Sequence, residues 1–144
     1  MKKVGEIVQE SIDLMERGHF EKSFATACVA MQETIKKAYE KDELILFDYK
    51  NFVDEHWDLL FFIGFPVIKS PYLDVPFVIK EISLNPRRSL TVKEVVVYLF
   101  IYALRNGRMP SDIKFFTANY FEVNDQRLFV PSTLLSSFLA LVVV

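Results

Sequence analysis

A chain of 144 residues with a single cysteine, Cys28, can form no internal disulfide and no multi-cysteine zinc site, so it must hold itself together by burying apolar surface. It has the material: 51% of its residues are hydrophobic, among them 14 Phe, 6 Tyr and a Trp. With 17 basic against 19 acidic residues the net charge is −2, which gives no overall field to draw nucleic acid and leaves RNA as a partner unsupported by charge.

Val4, Ile7, Val8, Ile12 and Met15 recur at helical spacing and predict an amphipathic helix ending near Gly18. Glu6 and Glu10 interrupt what a signal peptide would need as an apolar stretch, so a cytoplasmic protein is expected. A second helix carries Phe20, Phe24, Ala27, Cys28, Met31, Ile35 and Ala38 on one stripe and runs to about Lys41. The short break between the two predicts an antiparallel pair. Asp48 is placed to cap a third helix with Tyr49, Phe52, Val53, His56, Leu60 and Ile63 along one side, stopping before Pro66.

Four of the six prolines (66, 71, 76 and 86) fall in residues 65–89, which read as extended, with at most a short strand or turn at 77–82. Thr91 and Glu94 then fit a capping box, and residues 92–104 are apolar on every face, the mark of a helix buried all round. Asn106 and Gly107 should end it. Residues 113–121 and 127–130 flank Asn124-Asp125-Gln126 as a hairpin or looped extended pair, and a last helix covers about residues 132–142. No apolar run reaches the roughly 20 residues of a membrane span. The expected fold is mainly α: one domain over 1–144, a helical bundle of about five helices with a small extended or hairpin element near the C-terminus.

Few residues suggest chemistry. Four glycines form no phosphate-cradling loop, and His19 and His56 have no companions at ligand spacing, so neither a cofactor nor a metal is expected. His19 reads as a helix-corner residue, His56 as a packed, hydrogen-bonded one, and Cys28 as a core thiol far from any cation. The aromatic run from Trp57 is assigned to the core, with a ligand pocket at His56, Trp57 and Tyr102 as the competing reading. Arg87, Arg88 and Lys93 stand at the entrance of the helix of residues 92–104 and Arg105 and Arg108 at its exit. About 22 Å of helix separates the two groups, and both read as solvated.

The segment Tyr102-Ala-Leu-Arg105-Asn106-Gly107-Arg108-Met109-Pro110 resembles the terminal segment of HEPN-type helical domains, and the opening helix pair resembles that family's first long helices. In active members the resemblance implies metal-independent RNA cleavage by a dimer. A histidine four to six residues after the arginine acts as acid or base, and the arginine stabilises the phosphorane. Arg105 and Asn106 match the first two positions, whereas Pro110 and Ser111 stand where the histidine belongs. Asp112 is the one nearby group able to carry a proton. A member lacking that histidine points to a non-catalytic interaction or scaffold protein that self-associates or binds another protein. The competing readings are a degenerate RNA-processing protein that uses Arg105, Asn106 and Asp112, and a small-ligand binder.

Overall fold

A computed structural model describes residues 3–65, 74–75, 90–117, 122–124 and 127–143. Arg87, Arg88, the strand or turn expected at 77–82 and the turn expected at 125–126 lie outside them.

The first two helices follow the sequence reading. α1 (Val4–Glu16) ends in the left-handed turn that Gly18 takes at φ 81°, and His19 N–H donates to the Leu14 carbonyl (2.9 Å). α2 (Phe20–Ala38) then returns along α1. Where they cross, Ser11 and Ser23 are fully buried, and each hydroxyl donates to the other's backbone carbonyl (2.8 and 2.6 Å). Two small side chains let the helices approach while leaving no buried hydroxyl unpaired.

The single third helix expected from the sequence is two. α3 (Leu46–Glu55) and α4 (Trp57–Gly64) meet at His56, whose φ of −111° and ψ of 16° leave the helical region. Both of its backbone groups still bond four residues away, to Phe52 and from Leu60, so the chain bends without breaking its ladder. The described residues hold six helices, in keeping with the expected bundle of about five. Asp48 is the third residue of α3 rather than the residue before it, and it caps by reaching back to Ile45 N–H (2.8 Å).

Two short strands, β1 (Asp74–Val75) and β2 (Leu90–Thr91), pair antiparallel ahead of α5 (Val92–Asn106). Thr91 accepts from Glu94 N–H and Glu94 from Thr91 N–H, the capping box read from the sequence. Gly107, at φ 66°, closes α5. The C-terminal sheet holds β3 (Ile113–Phe116), β4 (Glu122–Asn124) and β5 (Arg127–Pro131) in the order β3-β5-β4. β4 pairs antiparallel with β5, whereas β3, within the arm expected over 113–121, joins β5 in parallel and not as its hairpin partner. α6 (Thr133–Val143) completes the fold.

α2 is the hub: α1, α3, α5, α6 and β3 all pack on it, and α4 lies against α6. At the centre Phe138 of α6 meets Phe24 of α2 (ring centroids 4.9 Å) and Phe100 of α5 (5.3 Å), and Phe24 also meets Phe115 of β3 (5.2 Å). Cys28 is buried in this core, and desolvation pushes its thiol well above the usual range. No helix among the described residues is long and apolar enough to cross a membrane.

Candidate functional site

α5 departs from its expected burial. Val92, Val95, Val96, Val97, Leu99, Phe100 and Ala103 are buried, yet Tyr98, Ile101 and Leu104 are only partly so. Their spacing puts them on one face, which α3 approaches but does not cover. Between that face and α3 lies a slot of about 160 Å³. One wall is Leu44, Leu46 and Tyr49; the other is Ile101, Leu104 and Arg105.

The loop that forms the first wall is pinned at both ends. Glu40 takes a left-handed φ of 54° just past α2, and Lys41 N–H returns to the Lys36 carbonyl (2.9 Å). Asp48 then holds Lys41 Nζ (2.8 Å) as well as Ile45 N–H, and these two donors, the lysine first, keep its carboxyl below the usual carboxylate range. Cross-links from α2 fix the register of α3. Gln32 donates to the Tyr49 hydroxyl (2.8 Å), and Asn51 donates to the Tyr39 hydroxyl (3.1 Å) and to Glu55 (2.9 Å). Burial and the Glu55 charge raise the Tyr39 phenol.

Helical spacing puts Leu46 three residues before Tyr49 and seven before Val53, on their side of α3, and Phe47 on the opposite side. Ile45, Leu46 and Phe47 are 63, 47 and 65% exposed. Leu46 lines the slot, and with its chain neighbours Ile45 and Phe47 it makes an exposed apolar ledge at the start of α3. The sequence reading passed over them, although Leu44-Ile45-Leu46-Phe47 is a run of four apolar residues just before a helix cap, a pattern that a solvated loop does not need. A second exposed pair, Leu59 and Phe62 (78%), lies on α4, so not all of the Trp57 run is core.

The residues singled out from the sequence fall in separate places. Arg105 is exposed on the slot wall and has no ion-pair or hydrogen-bond partner among the described residues. Asn106, next to it, spends its amide on the Tyr102 carbonyl (3.0 Å). Asp112 sits in the turn before β3; both carboxylate oxygens are out of solvent and unpartnered among the described residues. Only Arg105 of the three lines the slot. His56 packs on Phe52 (4.4 Å) at the α3–α4 bend, and Trp57 is buried against Phe61 (5.8 Å), its Nε1 without a partner among the described residues. Tyr102 is buried under the Arg108 guanidinium (5.4 Å). The described clefts are lined by other residues than His56, Trp57 and Tyr102.

Lys93 is not solvated as expected: it pairs with Asp54 and lies over the Trp57 ring (5.8 Å). Arg108 donates to the Met109 carbonyl (3.0 Å). His19 is exposed at the start of α2, and no group of His, Cys, Asp and Glu among the described residues is arranged to hold a metal. A wider, open groove of about 610 Å³ runs between α1 and α2, with Val4, Ile7 and Val29 as its floor and Lys3, Glu10 and Glu33 among its lining.

The chain belongs to the Rv1289 family. That family's model matches residues 3–144 and so takes in every helix described above. No curated protein and no solved structure matches the chain. Within this Rv1289-family chain, the slot and its ledge bring exposed apolar side chains and an unengaged cation together on one wall-and-floor surface.

Proposed function

We propose that this chain is a non-catalytic helical interaction protein that pairs with a second copy through the Ile45-Leu46-Phe47 ledge and the open face of α5. The observation that carries the reading is the ledge itself. Three large apolar side chains stand exposed at the N-terminal end of α3, in a turn braced by Asp48, at an energetic cost that a partner surface would remove. The slot supports a protein occupant. At about 160 Å³ it is well below the roughly 300 Å³ of small pockets for drug-sized ligands, and it is of the order of one side chain.

The arrangement favours this reading over RNA processing of the HEPN type. The Asn106 amide is engaged by backbone, Asp112 is withdrawn from solvent, and both histidines lie on other elements than α5. Size-exclusion chromatography with light scattering tests the proposal. The wild-type chain should run as a dimer and Phe47→Glu as a folded monomer. A wild-type monomer at every concentration, or a Phe47→Glu variant that pairs as before, rejects it. RNA cleavage lost in Arg105→Ala would revive the nuclease alternative.

A further inference from the structure

Resting on that pairing, we infer that its register is set by charge: Arg105 of one copy meets the acidic pair Asp42 and Glu43 of the other across a two-fold axis. A two-fold interface is isologous, so one patch must be complementary to itself. This patch is. The slot separates a loop wall from an α5 wall, and a two-fold along the slot sets the loop wall of each copy on the α5 wall of the other. Exposed Asp42 and Glu43 immediately precede Leu44 of the loop wall in the chain, Asp42 also lining a second cleft with Lys36, Lys37 and Lys41, and exposed Arg105 lies on the α5 wall.

Asp42, Glu43 and Arg105 have no ion-pair partner among the described residues, nor has exposed Lys37 in the cleft that Asp42 lines, whereas other neighbours are taken. Lys41 is held by Asp48, and Arg108 by the Met109 carbonyl and the Tyr102 ring. Lys50 is a further exposed cation on α3, and it is not among the residues that line the slot. A planar guanidinium facing two carboxylates across an apolar floor supplies direction where Ile45, Leu46 and Phe47 supply only adhesion. Like charges brought together in any shifted docking would oppose it.

The test is a charge-reversal mixing experiment on the full chain. Arg105→Glu places acid against acid in its own homodimer, and Asp42→Lys with Glu43→Lys places base against base. In a mixed pair one contact is reversed but attractive and the other is as in the wild type. Light scattering should therefore find each variant at least tenfold weaker in pairing than the wild type, and an equimolar mixture restored to heterodimer. Wild-type pairing should also weaken as salt rises. All positions are exposed, and circular dichroism checks the fold; Arg105→Gln and Glu43→Gln serve as milder variants, each expected to weaken pairing without rescue on mixing. Variants that pair like the wild type, or a mixture that stays monomeric, overturn the charge register while leaving the ledge in place. A wild-type chain that never pairs overturns both.

Discussion

Replacing Phe138 by alanine should remove a large share of the fold's stability. The side chain is fully buried on α6, with the Phe24 and Phe100 rings at 4.9 and 5.3 Å. Truncating a buried phenylalanine costs about 3–5 kcal/mol, from lost transfer energy and from the cavity left behind. A domain of this size has only about 5–15 kcal/mol in total. At roughly 2–4 °C per kcal/mol the melting temperature should fall by about 6–20 °C. Phe138→Leu separates packing volume from ring contact. Leucine fills most of the space but forfeits two aromatic pairs, each worth about 0.5–1.5 kcal/mol, for a loss of about 1–3 kcal/mol. Urea unfolding followed by circular dichroism measures both. An alanine variant that loses less than about 1 kcal/mol, or a leucine variant as damaged as the alanine one, would refute the placement of Phe138 where three helices meet.

Asp48 predicts a pH signature. Its carboxyl is depressed in the folded state, so its contribution is present above the unfolded value of about 3.9 and disappears as pH falls through the lower folded value. The difference in urea midpoint between wild type and Asp48→Asn should be constant near neutrality and shrink below about pH 4; a difference that grows on acidification contradicts the bracing role. Glu40→Gly should stabilise by about 1 kcal/mol, because a side chain at φ 54° costs roughly that, while Glu40→Ala should gain little; thermal melts decide. Cys28 should resist an aromatic disulfide reagent in the native chain and react at once in denaturant, since it is buried and its thiol is held protonated. Prompt native labelling would place the thiol outside the core.

The helices were legible wherever pattern and punctuation agreed. Gly18 and Gly107 ended α1 and α5 as read, and the Thr91–Glu94 capping box formed as written, because these signals act within one turn of chain. The bend at His56 was not legible, since its backbone bonds continue through it and no proline or glycine marks the spot. Nor was the parallel pairing of β3 with β5, which depends on how the chain returns between them rather than on either strand's composition.

At the site, Arg105 was singled out for a resemblance and proved notable for a different reason, its unengaged guanidinium on the slot wall. The ledge was not legible because an apolar run before Asp48 reads the same whether its side chains end inside or outside the fold. The open face of α5 was hidden by its own composition. A helix apolar all round says that it is covered on every side, but not whether the cover belongs to the same chain.

Hydrogen–deuterium exchange at low and high protein concentration tests the central claim most directly, because it reports both whether copies meet and where. The account predicts that protection rises with concentration in residues 42–49 and 101–106, together and in one transition. Exchange in those two segments that ignores concentration would contradict it, as would protection gained in the α1–α2 groove at Val4, Ile7 and Val29 instead.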